Sequence, residues 1–252
     1  MQEAAPPTGF RDVVVIGGGC YGSFYAGQLA AARAKGKVAF RSVILVDRDP
    51  ACRAAGTLGD DFRLEVADWG AFLDGFLDRD PPPAGTPDDA IVPSPLMPHL
   101  MAEWLTRTAE RLAPGRVAAG PAFWPMDTPF DRLAPDGNRY VSHADWLCPT
   151  HCIEPHLCPV TRAPRTWEMS ETLAEYVRAA PAAAGRVLGP ALFVTRHRAF
   201  GVGMFDLPEV RLARALLAAG LAEEEPATLV VGTISACHGA VGTLRLGRGC
   251  GS

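Results

Sequence analysis

The chain has 252 residues, enough for one large domain or two small ones with a substantial core. Its formal net charge of −4 at pH 7 gives no general electrostatic reason to expect nucleic-acid binding. No apolar run reaches the length of about 18 residues that a membrane span needs, and residues 1–10 lack the apolar core of a signal peptide. We therefore expect a cytoplasmic protein without a membrane span.

The first third of the chain alternates strand and helix patterns. Short β-branched runs predict strands at residues 13–16, 42–46 and 62–66, and alanine-rich or amphipathic stretches predict helices at 21–33 and 69–77. Strands that alternate with helices of this length are typical of a parallel sheet with crossover connections.

Strand and helix patterns continue to residue 112, are absent from residues 115–167, and return from residue 170 onward. A strand at 90–92 and a helix at 97–112 come first, and residues 115–167 then read as an ordered but irregular insertion rich in proline. Beyond the insertion, the predicted elements are a helix at 170–179, a strand at 191–194, a helix at 208–220 and a strand at 228–231.

These patterns predict an α/β fold with a doubly wound, mainly parallel Rossmann-like sheet and a cysteine-bearing irregular insertion. Residues 1–114 would form the dinucleotide-binding half, and residues 115–168 the insertion rich in cysteine, tryptophan and proline. Residues 169–252 would form a C-terminal α/β part that completes the sheet.

A glycine-rich motif follows the first predicted strand and opens the first predicted helix. The six residues that match G-x-G-x-x-G, all candidate contacts of a dinucleotide, are Gly17, Gly18, Gly19, Cys20, Tyr21 and Gly22. In this motif Gly17 permits a tight turn, Gly19 lets the backbone approach the pyrophosphate, and Gly22 allows close packing of helix and sheet. A glycine-rich turn that binds no ligand would show the same six residues.

An acidic residue is expected at the end of the second strand, where it would accept hydrogen bonds from the ribose hydroxyls. Asp47 occupies that place. Its charge favours NAD over NADP, although Arg48 could stack on the adenine or pair with a 2′-phosphate. FAD is a less favoured alternative because flavoproteins with two domains are usually longer.

Residues 13–22, 43–49 and 64–68 together resemble the NAD-binding regulatory domains of bacterial potassium-uptake systems and related dehydrogenases. The resemblance covers residues 11–112. It implies that Asp68, which follows the third strand, lies near the adenine of the bound nucleotide.

A second candidate site is a cluster of cysteines and histidines in the insertion. Cys148, Cys152 and Cys158 are spaced C-x3-C-x5-C, and a fourth ligand could be Cys237, which follows the last predicted strand. Strand ends on one edge of a parallel sheet lie together, so Cys237 could meet the insertion there. The alternative ligands are His151, His156 and His238.

The chain has seven cysteines, and a reducing compartment makes structural disulfides improbable. Zinc would accept four thiolates, or three thiolates and an imidazole, whereas an iron–sulfur cluster would use cysteines on a proline-stiffened loop. Reduced cysteines in an ordinary loop remain the alternative to both.

Three functions follow from these motifs. The first is an NAD(P)-dependent oxidoreductase whose metal-bearing loop covers the nicotinamide end, although no Tyr-x-x-x-Lys motif marks a catalytic acid. The second, which the family resemblance implies, is a non-catalytic module that senses NAD(H) and signals to a protein partner. A homodimer is also possible. The third is an electron-transfer subunit of a larger redox complex.

Overall fold

The computed structural model describes residues 8–57, 59, 61–121, 124–135, 137–149 and 152–247. These residues form two compact units. Unit 1 comprises the described residues up to Met97 together with Arg196–Leu207, and unit 2 comprises Pro98–Thr195 and the described residues from Pro208 onward.

Unit 1 is a sheet with two helices. Its elements are β1 (Thr8–Ile16), α1 (Cys20–Ala34), β2 (Val38–Asp47), β3 (Phe62–Val66), α2 (Trp69–Leu77), β4 (Ala90–Val92), β9 (Arg196–Ala199) and β10 (Val202–Asp206). The strand order is β3-β2-β1-β4-β10-β9. The first four strands are mutually parallel, and β10 and β9 extend the sheet in antiparallel pairing.

Burial explains why the central strands of unit 1 are continuous apolar runs. Residues 13–16 and 43–46 are almost completely buried, as strands covered on both faces must be. Helix α1 contributes Ala26, Leu29 and Ala32 to the core on one face of this sheet. The carboxyl ends of β1, β2 and β3 lie on the same edge of the sheet, where the glycine motif and Asp47 are found.

Unit 2 contains a second sheet with three helices. Its elements are α3 (Leu100–Leu112), β5 (Val117–Pro121), β6 (Phe130–Leu133), β7 (Arg139–Ser142), α4 (Met169–Arg178), β8 (Arg186–Val194), α5 (Leu207–Ala222), β11 (Ala227–Ile234) and β12 (His238–Leu246). The strand order is β6-β7-β12-β11-β8, and β5 also pairs with β12. Helix α4 packs Met169, Leu173 and Tyr176 against β11 and β12.

The fold is therefore mixed α/β with two mixed sheets. The expectation of one mainly parallel sheet is wrong, because in unit 2 only β8 and β11 run parallel and the other pairs are antiparallel. The C-terminal part of the chain contributes β9 and β10 to the first sheet, whereas β8, β11 and β12 belong to the second.

The five predicted helices and the six predicted strands are all present, most of them with shifted ends. Residues 115–167 are less irregular than predicted, because they contain β5, β6 and β7. Strand β12 was also missed, since Gly239 and Gly242 weaken the strand pattern. A Cβ at Gly239 would overlap the side chain of Ile234, so close packing of the hairpin explains that glycine.

None of the helices in the described part of the chain is both long and apolar enough to span a membrane.

Candidate functional site

The glycine motif forms the connection between β1 and α1. Gly17 has φ +93°, a left-handed conformation that favours glycine. A Cβ at Gly22 would lie 2.8 Å from the carbonyl carbon of Gly17 and closer still to its oxygen, so only glycine fits there. A Cβ at Gly19 would meet nothing within 4 Å. The motif therefore needs Gly17 and Gly22 for its own fold, whereas Gly19 borders open space.

The first turn of α1 is exposed and is not capped by a side chain. Gly19 is the N-cap residue, and the first turn contains no acidic residue. Gly19, Cys20 and Tyr21 are exposed. Because the first N–H groups of a helix have no partner within it and carry partial positive charge, this end of α1 can receive an anion.

Asp47 lies against the glycine motif. One carboxylate oxygen accepts a hydrogen bond from the N–H of Gly18 at 2.5 Å, and the other accepts one from the N–H of Asp49 at 2.9 Å. The carboxylate thus lies against the glycine motif, and ribose binding by Asp47 stays a prediction.

The structure gives Arg48 and Asp68 contacts that the sequence did not indicate. Asp68 is the N-cap residue of α2 and accepts hydrogen bonds from the N–H groups of Gly70 at 2.9 Å and Ala71 at 3.2 Å. The Nε of Arg48 lies 3.6 Å from a carboxylate oxygen of Asp68, and both side chains are more than half exposed. Adenine contact by Asp68 stays a prediction.

Three residues beside the glycine motif were missed. Cys52 is buried directly beneath Gly18, and a Cβ on Gly17 would lie 3.3 Å from the ring of Trp69. Arg53 is exposed and places its Nη1 3.6 Å from the sulfur of Cys20, at the start of α1. Arg53 therefore adds a full positive charge near the helix end, and no spacing rule predicts it.

The second candidate site lies within unit 2. One pocket is lined by side chains of all four predicted cysteine ligands and by two tryptophans, two prolines, a glutamate and an arginine. The main lining residues are Cys148, Cys152, Cys158, Cys237, Trp146, Trp167, Glu154, Pro155, Pro159 and Arg165. The six cysteines among the described residues are all free thiols.

The turn between β11 and β12 carries Cys237 to this pocket. The N–H of His143 donates to the carbonyl oxygen of Cys237 at 2.8 Å, and the N–H of Met169 donates to that of Ala236 at 3.0 Å. The segment that holds the other three cysteines therefore begins and ends at this turn.

Glu154 ties the middle of the cysteine segment to the same turn. Its carboxylate accepts hydrogen bonds from the hydroxyl of Ser235 at 2.5 Å and from the N–H of Ala236 at 2.9 Å. The Glu154 side chain is only 7% exposed, and its backbone adopts φ +51°, which is unfavourable for a non-glycine residue. This buried carboxylate was missed, although Glu154 stands between Cys152 and Cys158 in the sequence.

Hydrogen bonds and burial act in opposite directions on the thiols. Burial raises the pKa of Cys237 to about 11, although the indole N–H of Trp167, 3.3 Å from the sulfur, favours the thiolate. Burial and the neighbouring Cys152 raise the pKa of Cys148. Hydrogen bonds from the backbone and hydroxyl of Thr161 lower the pKa of Cys158.

Two of the alternative histidine ligands, His156 and His238, do not line the pocket. His156 and His238 are exposed, and the Nδ1 of His238 is 3.6 Å from Glu154. His151 lies outside the described residues. Across the described ranges, no three Cys, His, Asp or Glu side chains are placed to hold a metal ion between them.

A larger groove of about 480 Å³ in unit 2 has no cysteine in its lining. Trp124 and Tyr176 stack in it at 4.3 Å, beside Asp127, Glu171 and Glu175. Tyr176 donates its hydroxyl hydrogen to the carbonyl of Trp124, so these aromatic rings are part of the packing of α4. The cysteine pocket holds the more specific chemistry.

Residues 101–247 match the AF_1314_C family model, described as "Uncharacterized protein, C-terminal domain". The match spans more than half of the chain and contains all four cysteines of the pocket. No curated protein and no solved structure matches the chain.

Proposed function

This chain belongs to the AF_1314_C family, and we propose that it is a dinucleotide-binding redox protein with a cysteine-ligated metal centre. In this proposal, unit 1 is a Rossmann-like domain that binds NAD, and Cys148, Cys152, Cys158 and Cys237 of unit 2 bind zinc or an iron–sulfur cluster. The expected activity is that of an NAD(P)-dependent oxidoreductase.

The observation that carries the proposal is the assembly of the cysteine pocket. Four of the seven cysteines line one pocket, although Cys237 is far from the other three in the sequence. Glu154 and the turn at Ala236 hold the two segments together through buried hydrogen bonds. A protein without a ligand for these thiols has no evident need for such an arrangement.

The residues around the thiols suit a bound metal. Trp167 donates a hydrogen bond to the sulfur of Cys237, and the N–H of Glu154 donates one to Cys152 at 3.4 Å. Such donors stabilise thiolates once a metal has displaced their protons. When bound, zinc would polarise a substrate oxygen, whereas an iron–sulfur cluster would carry electrons.

The support for dinucleotide binding lies in unit 1. The open start of α1, the exposed Gly19 and the cation of Arg53 would favour a pyrophosphate, and the carboxylate of Asp47 beside the motif would accept hydrogen bonds from a ribose. The carboxylate of Asp47 would repel a 2′-phosphate, so NAD is favoured over NADP.

Gly19→Ala tests dinucleotide binding. The added methyl group would enter open space in the free protein, so the fold should persist, but it would block the approach of a pyrophosphate. We expect NADH affinity, followed by nucleotide fluorescence, to fall at least about tenfold, or roughly 1.4 kcal/mol. Gly27→Ala is the matched control, since Gly27 also lies in α1 and borders open space. Equal affinity in both variants, or no NADH binding by the unaltered chain, would contradict the proposal.

Turnover separates the enzyme from a sensor. An oxidoreductase should consume NADH when offered a suitable acceptor, whereas a regulatory module should bind it tightly without turnover.

Elemental analysis of the purified chain tests the metal centre. Metal-free protein that takes up neither zinc nor iron would contradict the proposal that the four cysteines bind a metal.

A further inference from the structure

The four predicted cysteine ligands share one pocket in unit 2. All four line the same pocket, yet no three potential ligands in the described part of the chain are placed to hold a single ion. Zinc bound by four thiolates requires every sulfur at about 2.3 Å from one centre. The pocket thus has the number of thiols that a tetrahedral site needs, but the described residues contain no group of three potential ligands around one centre.

We propose that this pocket holds a [4Fe–4S] iron–sulfur cluster, with each of Cys148, Cys152, Cys158 and Cys237 bound to a different iron. The inference rests on the proposed function, in which these cysteines bind metal. Because each thiolate binds its own iron, the sulfur atoms remain apart around the cluster. That requirement agrees with four thiols that line one pocket although no three potential ligands among the described residues are grouped for a single ion.

The other ligand types near the pocket also favour a site made only of thiolates. Glu154 lines the pocket, but its carboxylate oxygens accept hydrogen bonds from Ser235 and Ala236. His156 and His238 are exposed and do not line the pocket. Imidazole and carboxylate ligands are common at zinc, whereas cubane clusters are normally held by four cysteines.

The polar groups around the thiols fit a cluster with net negative charge. The indole N–H of Trp167 and the backbone N–H of Glu154 donate to the sulfurs of Cys237 and Cys152. Arg165 also lines the pocket, and its guanidinium group forms an ion pair with Glu168. Hydrogen bonds to cluster sulfurs and nearby charge are two of the factors that set reduction potential.

Anaerobic purification of the full chain tests the cluster. We expect about four iron and four sulfide per chain, and a brown colour with absorption near ~400 nm that bleaches on reduction with dithionite. Metal-free chain should recover this spectrum with ferrous iron and sulfide under argon. A parallel sample of the metal-free chain is given zinc alone, and the zinc bound per chain is measured.

The outcomes separate this inference from the proposed function. One tightly bound zinc per chain, with no uptake of iron and sulfide, would overturn the cluster and leave the cysteine metal centre standing. If the chain binds neither zinc nor iron and cannot be reconstituted with a cluster, both the iron–sulfur cluster and the cysteine metal centre are contradicted.

Two pocket variants and one control link the spectrum to the pocket. Cys237→Ser should lose most of the iron and sulfide, and Cys20→Ser, which removes a thiol in unit 1, should keep both. Trp167→Phe should retain the cluster but shift its reduction potential to a more negative value, because the N–H donor to the sulfur of Cys237 is lost. An unchanged potential would contradict the role of Trp167, and full iron content in Cys237→Ser would contradict the ligand set.

Discussion

The glycine motif of unit 1 and the cysteine pocket of unit 2 are built in opposite ways. The motif is one continuous run of six residues whose backbone shapes the site. The pocket joins side chains of two distant segments, and Glu154 and Trp167 supply the contacts between them. Substitutions that clash with the backbone should therefore disrupt the glycine motif. The cysteine pocket should instead be disrupted by substitutions that remove the contacts between its two segments.

The largest effect is expected from Gly22→Ala, which tests whether the motif is limited by backbone geometry. The added methyl group would overlap the carbonyl of Gly17, and neither backbone segment can rotate away. We expect a loss of about 3 kcal/mol or more in the free energy of unfolding, measured by thermal and urea denaturation. Gly19→Ala is the control, and equal stability of the two variants would refute the explanation.

Glu154→Gln tests the assembled site. The amide replaces one of the two oxygens that accept hydrogen bonds from Ser235 and Ala236 and removes the negative charge, so Cys237 should be held less firmly. We expect the affinity for metal to fall by about 10- to 100-fold, measured by competition with a chelator. Glu175→Gln, which alters an exposed glutamate of α4, should have no such effect. Equal metal retention in both variants would show that Glu154 does not position the site.

A smaller effect is expected from Arg53→Gln, because a side chain only supplements the backbone donors of the motif. Loss of the charge near Cys20 should weaken NADH binding by about 5- to 10-fold, or roughly 1 kcal/mol, and the difference should shrink at high salt. Arg63→Gln removes another exposed arginine of unit 1 and serves as the control in the same titration. Loss of affinity in both variants alike would indicate a general charge effect.

The smallest effect concerns the acid stability of unit 1. Burial raises the pKa of Asp12, but hydrogen bonds from Arg41 and Ser42 outweigh it and hold the pKa below 3.8. The stabilisation is therefore present above the unfolded-state pKa and is lost as pH falls through the folded-state value. Asp12→Asn should lower stability at neutral pH and flatten its decline between about pH 5 and pH 3. The free energy of unfolding would be measured by denaturant titration at each pH. An equally steep decline in Asp12→Asn and in the unaltered chain would contradict this assignment.

Most of unit 1 was predictable because its signals are local. The β-branched runs of β1 and β2 and the glycines between β1 and α1 are neighbours in sequence, and their meaning depends little on distant contacts. Arg53 was not predictable, since its place beside Cys20 depends on how the loop after β2 folds.

Unit 2 was predictable only in part because tertiary contacts decide its strands. β12 contains two glycines and becomes a strand through pairing with β11, β5 and β7. The cysteines could be recognised as a group by residue type, but their shared pocket and the contacts of Glu154 and Trp167 required coordinates.

The two ends of the cysteine segment meet at adjacent residues, since His143 bonds to Cys237 and Met169 bonds to Ala236. The segment between His143 and Met169 therefore leaves and rejoins the rest of unit 2 at neighbouring points. A short linker could replace it without stretching β7 or α4, and the excised segment could be transplanted onto another hairpin that presents the same turn. Such a graft would transfer three cysteines as one segment, and the turn of the recipient protein would supply the fourth.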